Sequence, residues 1–125
     1  MELNYLQWLA EKTPTLWWHD SADPDELKQG LNFGATGVTT NPILVASAIG
    51  EHPQKWAEIL SLMKPDLLPQ NQAEYLLEKV TVNTAKIFEP VYIKTESRNG
   101  YVCAQVDPAK AGDRDIMLHQ AKQFH

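Results

Sequence analysis

The sequence has few of the features that mark membrane, secreted or nucleic-acid-binding proteins. Its 125 residues include one cysteine, Cys103, so an internal disulfide is excluded and a reducing compartment is favoured. No apolar run approaches the roughly 18 residues of a membrane-spanning helix. Acidic residues outnumber basic ones by 16 to 11, and the formal net charge of −5 argues against nucleic acid as the main partner. We therefore expect a globular protein of the cytoplasm, with no membrane and no nucleic-acid partner.

The sequence patterns of metal, nucleotide and serine-nucleophile sites are missing as well. The histidines have no HxxH, HxxxH or HExxH spacing and there is no CxxC pair, so we expect no metal site. The GxGxxG, GxxxxGKS, GxxxxGKT and GxSxG patterns are also absent. The function must therefore be sought in other arrangements of polar residues.

Cysteine and tryptophan are expected mainly in the core. Cys103 lies in an apolar strand pattern, which favours a buried and unreactive thiol. The tryptophans also lie in apolar patterns, without the interleaved basic residues of a base-stacking surface. We expect core packing for most of the four, which are Trp8, Trp17, Trp18 and Trp56.

One pattern is present three times: an apolar run ends in polar residues, and Asp or Asn and then Pro follow before a helical pattern. Asp or Asn caps the free N–H groups of a first helical turn, and Pro fits the first helical position. Each unit therefore predicts a strand that leads into a helix, and the repeat predicts parallel strands. The units are residues 15–20 with Asp23-Pro24, residues 35–40 with Asn41-Pro42, and residues 101–106 with Asp107-Pro108.

Helical patterns are predicted before, between and after these strands. They cover residues 2–12, 24–31, 42–50, 51–64 and 72–94, with residues 66–71 as a connection and a last helix from Pro108 to the C-terminus. Acidic residues after Pro24 resemble a capping box. Three parallel strands make a small sheet with two bare edges, whereas a (β/α)₈ barrel needs roughly 250 residues. We therefore expect the chain to be the first part of something larger.

Polar side chains follow the predicted strands where chemistry gathers in parallel sheets, at the carboxyl ends. Asp20 could transfer protons, or could bind the backbone of the turn before Pro24. A cluster of two hydroxyls and an amide at residues 39–41 suits a sugar or phosphate, although local capping explains it more simply. Gln105, with its side chain expected in the sheet interior, could order a water, bind a hydroxyl or be a satisfied core amide. Asp107 is expected to be a helix cap.

At these same residues the sequence resembles transaldolases. Residues 37–42, Gly-Val-Thr-Thr-Asn-Pro, are similar to the signature around the second strand of that family. Residues 19–23, His-Asp-Ser-Ala-Asp, resemble its first-strand segment, and residues 101–108, Tyr-Val-Cys-Ala-Gln-Val-Asp-Pro, its third-strand segment. The three segments occur in the family's order. The resemblance covers essentially the whole chain, against the N-terminal part of a family member.

The resemblance implies a (β/α)₈ barrel that passes a dihydroxyacetone unit from a ketose to an aldose phosphate, without metal or organic cofactor. A lysine on the fourth strand forms the Schiff base, and this lysine is expected beyond the present chain. Asp20 matches the acid that handles protons during carbon–carbon cleavage. Asn41 matches the amide that holds substrate hydroxyls, with Thr39 and Thr40 beside it. Gln105 stands where transaldolases usually have a glutamate that acts through a water, and where fructose-6-phosphate aldolases have a glutamine.

The sequence therefore predicts the α/β class, with residues 1–125 forming a partial (β/α)₈ TIM barrel of about three parallel strands and surrounding helices. The expected function is that of a transaldolase-like sugar-phosphate enzyme in the full-length parent, with this chain alone inactive. The alternatives are a fructose-6-phosphate aldolase-like lyase and a non-catalytic sugar-phosphate-binding or structural fragment. The expected partners are a sugar phosphate and either a second copy of the chain or the remainder of the barrel.

Overall fold

The computed structural model describes residues 3–124, so Glu2 and His125, at the ends of the first and last predicted helices, lie outside the described residues. Three strands form one sheet in the order β1-β2-β3, and both neighbouring pairs are parallel. The predicted α/β class and its three parallel strands are thereby confirmed. The strands are β1 Trp18–Asp20, β2 Gly37–Thr40 and β3 Tyr101–Ala104; the helices are α1 Tyr5–Lys12, α2 Pro24–Asn32, α3 Pro42–Glu51, α4 Ala57–Leu62, α5 Pro69–Lys94 and α6 Arg114–Gln123.

The three predicted caps are present. The side chains of Asp23 and Asn41 each accept hydrogen bonds from the backbone N–H groups two and three residues further on. Asp107 accepts one from the N–H two residues on and begins a 3₁₀ turn. The predicted capping box of α2 is only half formed, because the Glu26 carboxylate accepts the Ser21 hydroxyl, at 2.5 Å, rather than the cap's N–H. Each strand is thus followed by a helical turn that begins at a defined residue.

Several predicted boundaries are wrong. The strands begin or end up to three residues inside the predicted limits, and α5 begins at Pro69 rather than at residue 72. The last helix begins at Arg114 rather than at Pro108, because Gly112 has a left-handed φ of 91° that interrupts the helical path. Asp113 then caps α6 by accepting the N–H of Ile116. A short turn and a new cap therefore replace the first part of the predicted helix.

One side of the sheet packs against helices α2 and α5. Val38, at the centre of β2, is fully buried against Leu27 of α2 and Phe88 of α5. A second buried cluster lies around Trp56 and is formed by Ala22, Val45, Ala48 and Val80. Burying these apolar side chains supplies the main driving force for packing the helices against the sheet.

The opposite side of the sheet, here called the open face, carries Trp18, Asp20, Gly37, Thr39 and Cys103. Successive strand residues point to opposite sides, and the parallel register aligns Asp20 with Thr39 and Thr39 with Cys103. Asp20 and Cys103 are exposed there. The prediction of a buried thiol is therefore wrong, because Cys103 alternates with Val102, and it is Val102 that faces the helices.

The tryptophans divide evenly between core and surface. Trp56 is buried and Trp17 is half-buried, but Trp8 and Trp18 are exposed by 46% and 41%. The prediction that most of the tryptophans pack in the core is therefore wrong for Trp8 and Trp18. Of the helices in residues 3–124, none combines the length and the apolar character that crossing a bilayer requires.

An ion pair fastens the start of α2 to the 3₁₀ turn after α3. Lys55 Nζ lies 3.0 Å from Asp23 Oδ2 and 2.8 Å from Asp25 Oδ2. Partial burial raises the pKa of the Asp23 carboxyl, but hydrogen bonds from Lys55 and from backbone N–H groups outweigh burial and lower that pKa below its usual value. The hydrogen bond with Asp25 raises the pKa of Lys55. Both shifts favour the charged forms in the folded state.

We expect Asp23→Ala to lower the free energy of unfolding by about 0.5–2 kcal/mol at neutral pH, because α2 loses its cap. A carboxyl with a depressed folded-state pKa stabilises the fold above its unfolded-state pKa, 3.8 in the reference state. That contribution is lost as the pH falls through the folded-state pKa. Denaturant unfolding at several pH values should therefore show the difference between variant and parent shrinking between about pH 5 and pH 2. Asp25→Ala, which removes no cap, is the control, and a difference independent of pH would contradict the assignment.

Candidate functional site

Four of the five predicted site residues lie at or beyond the last residue of a strand. Asp20 ends β1 and Thr40 ends β2, while Asn41 and Gln105 directly follow β2 and β3. Thr39 is the penultimate residue of β2. Because the strands are parallel, their carboxyl ends meet at one edge of the sheet, and the structure brings these residues to that edge.

Asp20 and Thr39 form a direct side-chain pair on the open face. The Thr39 hydroxyl donates to Asp20 Oδ1 at 2.8 Å, while the His19 carbonyl lies 3.5 Å from the same hydroxyl. A hydroxyl has one proton to donate, so the shorter contact takes it. Thr39 thereby holds one carboxylate oxygen of Asp20 and leaves the other available. The alternative interpretation expects Asp20 to bind the backbone of the turn before Pro24. The structure pairs Asp20 with the Thr39 side chain instead.

Asn41 caps α3, as the simpler interpretation predicts. Its Oδ1 accepts the N–H groups of Ile43 and Leu44, each at 3.0 Å. Its Nδ2 group donates to no atom of residues 3–124. The oxygen end of the amide is therefore committed to the helix, while the nitrogen end keeps two donors for a ligand.

Thr40 is buried on the helix-covered side of the sheet, unlike its neighbour Thr39. It is 3% exposed and alternates with Thr39, so it lies on the side of the sheet that Val38 presents to the helices. Its hydroxyl has no hydrogen-bond partner within the described part of the chain. Of the two threonines, only Thr39 presents its hydroxyl on the open face.

Gln105 is exposed, so the expectation of a side chain in the sheet interior is wrong for the structure described. Its backbone N–H donates to the Thr40 carbonyl at 3.3 Å, which continues the pairing of β3 with β2. Two residues along from Cys103, it falls on the same side of β3 as the open face. A side chain there is free to contact a ligand or a water.

Asp107 is a cap, as predicted, and is also tied to α6. Its backbone N–H donates to Oε1 of Gln120 at 2.9 Å, and Gln120 is only 8% exposed. Nothing in the helical pattern singles out Gln120. A cavity of about 570 Å³ lies beside Gln120, between α3, α5 and α6. Among the described residues, Gln120 and Asp107 line this cavity. Asp20 and Thr39 do not line it, so the cavity is separate from that pair.

Sequence reasoning also missed the contact between Trp18 and Gly37. An atom added as Cβ of Gly37 would lie 2.5 Å from Trp18 Cε2, so the indole occupies the space above this glycine. A glycine inside a strand pattern often marks such a close approach, and that signal was available in the sequence. The contact places a large ring next to the pair of Asp20 and Thr39.

The arrangement can bind hydroxyl groups and accept or return a proton. Asp20 is an exposed carboxylate oriented by one hydrogen bond, and Asn41 and Gln105 offer amide groups at the same edge. Within residues 3–124 no group of three His, Cys, Asp or Glu side chains is placed to share a metal ion. The chemistry that these residues themselves support is acid–base and hydrogen-bonding chemistry.

The fold and the polar edge together define a β/α protein with polar side chains at the carboxyl ends of its parallel strands. Sequence comparison then identifies the family, because the sequence model of transaldolase/fructose-6-phosphate aldolase matches residues 17–125. The chain belongs to this family.

Individual relatives agree with the family match. The chain is 27% identical to Transaldolase 2 of Nostoc sp. over 130 aligned residues, which cover 100% of the chain and 34% of the relative. It is 34% identical to Transaldolase 1 of Streptomyces avermitilis over 89 residues, covering 70% of the chain and 23% of the relative. The chain thus spans about a third of the length of the curated relatives it matches.

Proposed function

We propose that residues 1–125 form the N-terminal part of a transaldolase-like barrel that acts on sugar phosphates in the cytoplasm. The observation that carries the proposal is the hydrogen bond between Thr39 and Asp20 at the carboxyl ends of adjacent parallel strands. A carboxylate held in this way, with one oxygen free, suits proton transfer to and from a sugar hydroxyl. Asn41 and Gln105 stand beside it at the same edge of the sheet.

In this proposal the nucleophile comes from the remainder of the barrel, since none of the three strands that the structure describes within residues 3–124 contains a lysine. The lysine amine adds to the ketose carbonyl and loses water, which gives the Schiff base. Asp20 takes the proton of the C4 hydroxyl as the C3–C4 bond breaks, the aldose leaves, and the bond's electron pair stays on the enamine. The enamine then attacks the acceptor's aldehyde carbon, and Asp20 returns its proton to the new hydroxyl.

The same proposal gives the other polar residues their roles. Asn41 donates from Nδ2 to a substrate hydroxyl while its Oδ1 remains bound to α3. Gln105 orders the water that is released and consumed with the Schiff base. We further propose that the open face and the two edge strands, β1 and β3, pair with the remainder of the barrel. When the remainder is absent, they pair with a second copy of the chain.

Gln105 favours a second candidate, a fructose-6-phosphate aldolase-like lyase. An amide cannot activate a water as a carboxylate does, because it is neutral and does not take up a proton near neutral pH. Release of free dihydroxyacetone, without transfer to an acceptor, is the reaction expected of that candidate. The two candidates share Asp20 and Asn41 and differ only in the fate of the three-carbon unit.

The test is to complete the barrel by fusing residues 1–125 to the C-terminal remainder of the Nostoc relative. The fusion is incubated with fructose 6-phosphate, with and without an aldose phosphate acceptor, and the products are separated. Transfer to the acceptor supports the transaldolase, and free dihydroxyacetone supports the lyase. A folded fusion that binds the sugar phosphate but yields neither product would favour the non-catalytic binding fragment and would contradict the proposal.

A further inference from the structure

We propose that Ser21 is a positioning residue for Asp20 and that it acts through a hydrogen bond with Glu26 of α2. This role rests on the acid–base function proposed above for Asp20 and adds the device that holds the carboxylate in place. Ser21 directly follows Asp20, the last residue of β1, and is only 2% exposed. Its side chain bonds to the turn after β1 and to α2, so these contacts do not depend on the remainder of the barrel.

The start of α2 departs from an ordinary capping box, in which the glutamate of the first turn accepts the backbone N–H of the cap residue. Here the N–H of the cap residue, Asp23, donates to Ser21 Oγ at 3.1 Å, and the Ser21 hydroxyl donates to Glu26 Oε2 at 2.5 Å. Ser21 is thus inserted between two groups that a capping box pairs directly. The hydroxyl uses both its proton and a lone pair, and the shorter distance is typical of a bond to a charged carboxylate.

The inserted serine connects α2 to the end of β1. A direct bond between Glu26 and Asp23 would hold only the first turn of the helix. With Ser21 inserted, the same carboxylate also holds the residue that follows Asp20. The backbone N–H of Ser21 donates to the Thr39 carbonyl at 3.2 Å, which extends the pairing of β1 with β2 by one residue. Residue 21 is therefore held through its backbone and through its side chain.

The position of residue 21 determines where the Asp20 carboxylate lies. The Thr39 hydroxyl holds one carboxylate oxygen at 2.8 Å, but this bond orients only the end of the side chain. The bonds of Ser21 hold the peptide between residues 20 and 21, and with it the backbone from which the carboxylate extends. Because a misplacement of about 1 Å can lower an enzyme's rate by about 10²-fold, loss of the Ser21 contacts should reduce proton transfer by Asp20.

The first experiment measures amide hydrogen exchange by NMR on the ¹⁵N-labelled chain itself. In Ser21→Ala, residue 21 keeps its N–H but loses both side-chain bonds, and Glu26 becomes free to accept the Asp23 N–H directly. We expect the amide of residue 21 to exchange roughly tenfold faster relative to the amide of Val38, the factor that one hydrogen bond of ordinary net strength is worth. An unchanged ratio between the two amides would overturn the role proposed for Ser21.

The second experiment measures steady-state turnover of the completed barrel, normalised to folded protein. Ser21→Ala should lower kcat by roughly 10- to 100-fold with little change in KM. Glu26→Ala should have the same effect, and the double variant should lose no more than either single variant, because the two side chains act as one unit. Glu26→Gln keeps an oxygen that accepts the Ser21 hydroxyl and should retain most of the turnover. Ser61→Ala, which removes a hydroxyl from the exposed surface of α4, is the control.

Parental kcat in a folded Ser21→Ala variant would overturn the role of Ser21 and leave that of Asp20 in place, as would losses in the two single variants that simply add in the double variant. Equal losses in Glu26→Gln and Glu26→Ala would overturn the proposed hydrogen bond. Glu26 is exposed, so its variants give the answer if Ser21→Ala does not fold. A parent barrel that yields no product would remove the proposed function, and the exchange rates would then decide whether Ser21 holds the end of β1.

Discussion

Asp20→Asn is expected to lower kcat of the completed barrel by roughly 10²–10⁴-fold, the range that positioned acid–base groups usually contribute. An amide preserves the shape of the carboxylate and can still accept the Thr39 hydroxyl proton. It cannot take a proton from the substrate. KM should change little by comparison, because the loss is confined to the step in which the proton moves.

The measurement is steady-state turnover normalised to folded protein. Asp115→Asn is the matched control, since that carboxylate is 91% exposed on α6 and has no place in the site. Near-parental turnover of a folded Asp20→Asn variant would remove Asp20 from the mechanism and leave β1 as scaffold.

Phe88→Ala is expected to lower the free energy of unfolding by about 3–5 kcal/mol, as for other buried Phe-to-Ala changes. Phe88 is fully buried and packs against Leu27 and Val38, so truncation leaves a cavity between α5, α2 and the sheet. Since whole domains are stable by only about 5–15 kcal/mol, the change should remove a large share of the chain's stability.

Denaturant unfolding followed by circular dichroism measures this effect. Ile93→Ala, on the same helix but 69% exposed, is the matched control and should change stability by less than about 0.5 kcal/mol. A cost below about 1 kcal/mol for Phe88→Ala would mean that α5 does not pack on the sheet as described.

Local signals accounted for much of the fold. The caps Asp23, Asn41 and Asp107 were predicted from an Asp or Asn directly before a proline, because capping depends only on the next two or three N–H groups. The predicted start of α6 at Pro108 was wrong, because no local signal in the sequence marks where that helix is interrupted. Its interruption depends on the left-handed conformation of Gly112, which a sequence permits but does not require.

The candidate site was predicted in part. The sequence placed Asp20, Asn41 and Gln105 at strand ends, and the structure brings those ends together at one edge of the sheet. It did not indicate the hydrogen bond between Asp20 and Thr39, because these residues are 19 positions apart and meet only through the strand register. Their catalytic and binding roles stay predictions until turnover is measured.

The sequence by itself determined the order of strands and helices, the parallel arrangement and the family. Successive side chains along a strand point to opposite sides of the sheet, so the sequence requires Thr39 and Thr40 to lie on opposite sides. Which set is covered was decided only by the tertiary structure, because covering depends on where α2 and α5 pack. For that reason Thr40 is buried, Cys103 and Gln105 are exposed, and Trp18 rests on Gly37 beside the polar pair.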